Sequence, residues 1–296
     1  MKNQIYVLLA ALLWGTTGSA QALAPTDASP LAIGAFRMLI GGSILFIIAI
    51  IKNPMSEFKT LNYKKVLKAS FAIGLFQPFF FLGIQITGIA LGTVVAIGSS
   101  PIFSGIIELL EGKKISKVWL VATTFSIVGC IMLFTGKSDL KVNFIGILFS
   151  LFAGLLYALY VKFSKVLLNS YSRDIVNGTL FLLSGIILSP ILFFVDISWV
   201  TTYSGSFVVI YLGIATTTIA YTLFSKGLKN IEVEKAVSLT LAEPLTAALL
   251  GIFIFKEQLS FFSMIGLFLL FIGLVINSVF NKNTEENTSK IFLKVN

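Results

Sequence analysis

The chain has 296 residues, 56% hydrophobic and 12% charged, with a formal charge of +9 and a mean hydropathy of +0.95. A soluble domain of this size cannot hide so much apolar surface beneath a polar exterior, the apolar content excludes disorder, and a lone cysteine, Cys130, excludes a disulfide scaffold. Histidine is absent, which excludes histidine catalysis, histidine metal sites and a histidine proton switch. What remains is a polytopic membrane protein.

A helix needs about 20 mostly apolar residues to cross the hydrocarbon. Ten stretches qualify, roughly 5–24, 31–51, 67–86, 91–110, 117–135, 143–163, 175–195, 204–225, 236–255 and 261–280. Breakers punctuate the joints at Pro25 to Pro30, Lys52-Asn53-Pro54, Glu111 to Lys114 and Gly136 to Asn143. Residues 281–296 form a polar, charged tail. The runs are too long and too uniformly apolar for a β-barrel. The expected fold is all-α and integral to the membrane, with ten transmembrane helices.

Lysine and arginine placement sets the orientation. With the N-terminus in the cytoplasm, only Lys137, Lys141 and Lys256 of the 22 basic residues lie outside, and Arg37 lies within a span. Both termini are therefore expected to be cytoplasmic, in a cell (inner) membrane. The positive charge is a topology signal, and nucleic acid is not an expected partner. Lys2, an apolar run and Ala20-Gln21-Ala22 imitate a signal peptide. Cleavage there would strand the charge pattern on the wrong side.

The two halves match at a shift of about 143 residues. Ser99-Ser100-Pro101 falls on Ala242-Glu243-Pro244, and Trp14 falls on Tyr157. Ile115-Ser116 falls on Leu259-Ser260, Ala122 on Gly266 and Gly129 on Gly273. Five spans per half is an odd number, so the second half should lie upside down relative to the first. The expected division is 1–137, 138–280 and the tail 281–296. Inverted repeats are a transporter device, because two similar halves can exchange conformations around one central site.

Leu12-Leu13-Trp14-Gly15, Phe36-Arg37, Ala242-Glu243-Pro244 and Lys256-Glu257-Gln258-Leu259 resemble the EamA-type signature of the drug/metabolite transporter superfamily. The resemblance covers about 5 to 280. Trp14 to Pro25 and Gly88 to Pro101 are most similar to the carboxylate/amino acid/amine branch. The chain departs from the pattern at Ser100, which stands where the second half has Glu243. It departs again at Lys113, where a Glu is usual, and at Tyr157-Ala158, which replaces Trp-Gly. The resemblance implies a ten-helix secondary transporter of amino acids, amines, carboxylates or similar metabolites, often moved outward.

Glu243 is the sharpest candidate for the work. A carboxylate inside a membrane is expensive and by default functional, and Pro244 beside it removes a backbone hydrogen bond. Its alternatives are a substrate or proton site, a salt bridge to Arg37, or the cap of a kinked helix. Arg37 could bind a substrate carboxylate through its fork, or pin helices by holding backbone carbonyls or Glu243. Glu108 is read as reaching the inner interface by snorkelling. Gln21 and Gln77 are read as lining a cavity, with Gln85, Ser99 and Ser100 in the same polar set. Thr216, Thr217 and Thr218 are read as interhelix hydrogen bonders. Trp14, Tyr157 and Tyr221 could wall the cavity with cation–π faces, or serve as ordinary packing. Trp119 and Trp199 read as interface-belt residues, and Cys130 as a core residue. Pro78, Pro101 and Pro244 are expected kinks in moving helices. The Gly88/Gly92, Gly129/Gly136 and Gly266/Gly273 pairs permit close helix approach. Asn177-Gly178-Thr179 is a sequon lying inside a span, and is discarded.

Neither G-x4-G-K-[ST] nor G-x-S-x-G occurs, so the chain is not expected to be an enzyme or an ATPase, and no cofactor or metal is called for. The expected function is secondary active transport of a small metabolite by alternating access, outward, with protons as a candidate coupling ion. The expected partners are that small molecule and the lipid bilayer, with the chain a monomer or a homodimer. The alternatives are export of drugs or sugar conjugates, an intramembrane lipid-modifying enzyme, and a non-transporting sensor or assembly subunit.

Overall fold

A computed structural model describes residues 2–87, 89–135, 143–254, 256 and 260–280. Gly88, Gly136, Lys137, Lys141, Glu257 to Leu259 and the tail 281–296 lie outside the described residues.

All regular structure among the described residues is helical. The order is α1 (Lys2–Gly15), α2 (Thr17–Gln21), α3 (Pro30–Lys52), α4 (Met55–Lys59), α5 (Tyr63–Thr87), α6 (Ile89–Leu110) and α7 (Lys117–Thr135). Then come α8 (Phe144–Ser170), α9 (Arg173–Leu188) and α10 (Tyr203–Tyr211). A π-helical segment, Leu212–Ile219, runs into α11 (Ala220–Leu228), followed by α12 (Val233–Leu239), α13 (Ala242–Phe253) and α14 (Phe261–Val279). Local chemistry sets the ends. Pro30 opens α3 at a position where its missing N–H costs nothing. Asn143, Ser172 and Ser260 accept hydrogen bonds from the first-turn N–H groups of α8, α9 and α14. After α6, Gly112 takes a positive φ of 77°, and the Lys113 N–H closes back on the Glu108 carbonyl.

Eight helical stretches among the described residues are long and apolar enough to span a membrane, and Lys117–Leu133 is a shorter apolar helix. The expected first span is divided: α1 stops at Gly15, and Thr16 separates it from α2. Thr16 turns its hydroxyl onto the Leu13 carbonyl at 2.6 Å. The protein is thus a multi-pass membrane protein. Its outward surface agrees, because Ile51, Phe71, Leu120, Phe144, Phe207, Phe268 and Phe271 stand exposed on the helices. Such a surface is a liability in water and suits lipid.

Helix pairs pack closely: α3 on α9, α5 and α6 on α8, α1 on α11 and α13, and α7 on α14. The α7–α14 crossing shows why small residues are needed. A Cβ on Gly129 would sit 2.6 Å from the Gly266 carbonyl, and one on Gly273 would sit 2.6 Å from the Ala122 carbonyl. Without a hydrophobic drive between helices in lipid, such close packing supplies the association.

Several expectations are corrected here. Trp119 and Trp199 are not belt residues; they are 4% and 1% exposed. Trp119 donates its indole N–H to the Glu234 carbonyl at 3.0 Å, and Trp199 donates to the Asp196 carbonyl at 3.0 Å. Glu108 does not snorkel. It is 2% exposed and paired with lysines. Gln85 is exposed rather than cavity-lining. Pro78 and Pro101 lie inside helices that continue through them. Near Pro244 the helix breaks earlier, at Thr240 and Leu241, and Pro244 sits in the first turn of α13. There a proline is tolerated, because first-turn N–H groups have no helical partner. Asn177 is buried in α9, as its position in a span requires, and donates to Ser225 Oγ at 2.7 Å.

Candidate functional site

The break before α13 places Glu243 at the start of a helix rather than in its middle. Its carboxylate makes no hydrogen bond and no ion pair among the described residues. Glu243 is partly exposed, whereas Leu241, Ala242 and Pro244 around it are buried. Gly15 lets the α1 terminus approach this turn: a Cβ there would lie 2.8 Å from the Glu243 carbonyl. The Trp-Gly pair of α1 and the Glu-Pro pair of α13 therefore meet.

Arg37 projects from the middle of α3 and is 6% exposed. Its Nε donates to Thr217 Oγ1 at 3.4 Å and its Nη2 to the Thr216 carbonyl at 3.5 Å. Both contacts are long. The guanidinium lies in the field of Glu243 and Tyr221 yet forms no ion pair with Glu243. A salt bridge between Arg37 and Glu243 is thus absent, and the guanidinium instead reaches a backbone carbonyl.

The acceptor comes from the π-helical segment. Thr217 and Thr218 hydroxyls turn back to the carbonyls of Leu212 and Gly213, five residues earlier. The Ala220 N–H also reaches five residues back, to Ala215. The Thr216 carbonyl accepts the Trp14 indole N–H at 2.9 Å. One π-turn therefore ties α1 and α3 together, and such turns recur at functional sites. Two of the three bond across the bundle by their hydroxyls: Thr217 Oγ1 accepts from Arg37, and Thr218 donates to the Gly41 carbonyl at 3.3 Å.

Rings close the site. Trp14 lies 4.8 Å from Tyr221, 5.3 Å from Phe224 and 6.4 Å from Tyr157 between centroids. Behind them, Tyr160 and Phe181 pack on Tyr221 at 5.9 and 4.2 Å. Phe76 in turn packs on Tyr157 at 5.7 Å and stacks on Phe80 at 5.3 Å. Tilted and edge-on rings at such separations are favourable and rigid. The arrangement offers a cation at Arg37, a carboxylate at Glu243 without a partner among the described residues, and aromatic faces nearby.

The structure thus gathers Trp14, Arg37, Tyr157, Tyr221 and Glu243. Ser100 is not brought in, because its hydroxyl is bonded to the Ala96 carbonyl at 2.8 Å within α6. Gln77 is 3% exposed, with its Cβ against Gly34. Gln21 lies on α2 with a buried side-chain nitrogen that has no partner. Sequence reading missed the Thr216 carbonyl and the second ring layer of Tyr160, Phe181 and Phe224. The run Thr216-Thr217-Thr218 beside Gly213 was the available signal for the first. Nothing distinguished three rings from the other aromatics.

The EamA-like transporter family model matches residues 1–135 and 144–279. The chain is 42% identical over 282 residues to the "Uncharacterized transporter YwfM" of Bacillus subtilis, covering 94% of this chain and 95% of that protein. It is 25% identical to the "Uncharacterized inner membrane transporter YicL" of Salmonella typhimurium, over 94% and 95% of the two chains. A solved crystal structure superposes with a TM-score of 0.82 at 17% identity, over 94% of this chain and 96% of that one, which bears on fold alone. With the family model covering both halves and a relative this similar along nearly its whole length, the chain belongs to the EamA-like transporter family, a family of membrane transporters.

Proposed function

We propose that the chain is a ten-helix secondary transporter of the inner membrane that moves a small amino acid, amine or carboxylate outward by alternating access. The observation that carries this is the Glu243 carboxylate, which has no partner among the described residues and lies in the field of the Arg37 guanidinium without an ion pair to it. A membrane interior does not leave a charge unpaired without a use for it. A small molecule with a cationic group for Glu243 and an anionic group for Arg37 would complement both charges, with Trp14, Tyr157 and Tyr221 available to its cationic end. Glu243 is the candidate proton carrier, freed when substrate is absent. Gln21, Gln77 and Ser100 are proposed to meet substrate at other stages of the cycle.

Two inverted repeats, 1–137 and 138–280, with both termini cytoplasmic, supply the alternation. The packing supports this reading. Exchanging halves maps α3–α9 and α7–α14 onto themselves, and α5–α8 onto α1–α11. A Cβ on Gly83 would meet the Gly146 carbonyl and the Ser150 nitrogen; one on Gly227 would meet the Asn3 carbonyl and the Val7 nitrogen. Asn3 and Gly146, like Val7 and Ser150, are 143 positions apart. Gly112 and Lys256, each with positive φ just past a helix, are one more such pair at 144. Like contacts at like positions are what a pseudo-two-fold produces.

The test is an extracellular metabolite profile of cells making the wild-type chain or Glu243→Gln at matched membrane abundance. Accumulation of one amino acid, amine or carboxylate with wild type alone supports the proposal and names the cargo. Depletion of a medium component instead reverses the direction. Identical profiles remove Glu243 from the path.

A further inference from the structure

We propose that Lys162, Glu108 and Glu111 form an ionic latch that shuts one mouth of the central cavity, and that this mouth opens only when Lys162 leaves the two carboxylates. The inference rests on the alternating-access reading above. Lys162 lies on α8, Glu108 on α6 and Glu111 just past it. The Lys162 ammonium is 2.7 Å from Glu108 Oε1 and also bonded to Glu111 Oε2. Lys113 holds the other oxygen of Glu108 at 2.5 Å. Glu108 and Lys162 are only 2% and 8% exposed, whereas the side chains of Glu111 and Lys113, at the rim, are 46% and 57% exposed. An exposed ion pair is worth little, but a desolvated pair is costly to break by removing one partner. Burial is therefore what turns this contact from decoration into a clasp.

Its position gives the clasp a task. Around it, helix ends are tied by further polar links. Lys165 donates to the Leu228 and Lys229 carbonyls at 3.0 and 2.8 Å, joining α8 to the end of α11. Trp119 reaches the Glu234 carbonyl, and Thr123 pairs with Ser238 at 2.9 Å, joining α7 to α12. Every residue from Val233 to Ala242 is buried, while Glu243 and Leu245 to Leu250 are partly exposed. The bundle is sealed at the end that carries the latch and looser beyond Glu243.

The latch is also one-sided. Positions 143 away from Glu108, Glu111 and Lys162 are Gly251, Ile254 and Ser19. None is charged. If the two halves exchange conformations, the opposite mouth must close without a counterpart of the Lys162–Glu108 pair at those positions. The two end states then differ in energy by whatever the latch contributes, and the chain rests with the latched mouth shut. Substrate binding and the approach of α13 to α1 must supply the free energy that opens it.

Thiol accessibility tests this without knowledge of the substrate. In a Cys130→Ala background, Ser104→Cys places a reporter one turn before Glu108 on α6, where Ser104 is fully buried with an unpartnered hydroxyl. Ser19→Cys on α2 reports the opposite mouth. Membrane vesicles of either orientation are treated with a charged, membrane-impermeant thiol reagent. The latch predicts that Lys162→Met and Glu108→Gln each raise the labelling rate of the α6 reporter at least tenfold from the lysine-rich side, while Lys162→Arg leaves it slow. Unchanged labelling in the two neutral variants overturns the latch. So does failure of both neutral variants to reach the membrane while Lys162→Arg accumulates, since the cluster would then be a folding requirement. The α2 reporter separates the latch from the alternating reading. Faster labelling on α6 with slower labelling on α2 supports both. Faster labelling on α6 with unchanged labelling on α2 keeps the latch and removes alternation.

Discussion

Trp14 and Arg37 donate to the same acceptor, the Thr216 carbonyl, from two different helices. The indole bond is short at 2.9 Å and the guanidinium bond long at 3.5 Å. Trp14 therefore anchors the π-turn, and Arg37 is held loosely enough to find a second partner. Trp14→Phe keeps the ring and removes the donor. The expected loss is about 1 kcal/mol of stability, the size of one net hydrogen bond. Cys130, buried and the lone cysteine, reports unfolding through a thiol-reactive dye in detergent. An unchanged midpoint would mean the indole bond contributes nothing.

Arg37→Lys should act differently from Trp14→Phe. A lysine keeps the charge, but one ammonium cannot serve Thr217 Oγ1, the Thr216 carbonyl and an incoming carboxylate as a planar fork can. We expect a transport loss of tenfold or more, with the unfolding midpoint close to wild type. A large drop in the midpoint with transport per folded molecule retained would make Arg37 a pin alone.

Close approach of α7 and α14 predicts a sharp contrast between glycines. Gly129→Val drives side-chain atoms into the Gly266 carbonyl and should cost about 1–3 kcal/mol or more, as overpacking does. Gly18→Ala meets nothing within 4 Å and sits in a short helix, so it should be neutral or slightly stabilising. Equal effects of the two, measured by membrane abundance and unfolding midpoint, would contradict the crossing.

Outside the spans, Asp196 accepts the Ser198 N–H at 2.9 Å and its hydroxyl at 3.0 Å. These bonds hold its carboxyl below the ordinary aspartate value of 3.8. A carboxyl lowered on folding contributes its stability above the unfolded value and loses it as pH falls through the folded one. Trp199, bonded to the Asp196 carbonyl, should therefore keep its fluorescence from pH 7 to 5 and change only below about pH 4. A transition near pH 6 would point to another group.

Legibility from sequence divides along physical lines. Apolar runs and breakers each repeat over many residues, so the helical membrane fold and its near-boundaries were readable. Trp14, Arg37 and Glu243 stood out because each is rare or costly in a span. What failed was anything decided by the partner across the bundle. Glu108 looked like an interfacial acid until Lys162, 54 positions away, was found against it. Trp119 looked like a belt residue until its indole met the Glu234 carbonyl, 115 positions away. Ser100 matched Glu243 by register, yet its hydroxyl serves its own helix. Prolines mark where a helix can bend, and only the neighbourhood decides whether it does, as the break at Thr240 rather than at Pro244 shows.

The measurement closest to the central claim uses purified chain in proteoliposomes, loaded with the cargo named by the metabolite profile. Flux is followed with and without an imposed pH gradient for wild type and Glu243→Gln. We expect wild type to respond to the gradient, and Glu243→Gln to lose that response or transport altogether. Equal gradient-driven flux in both proteins would contradict a working role for Glu243 and leave the gap between it and Arg37 without a function.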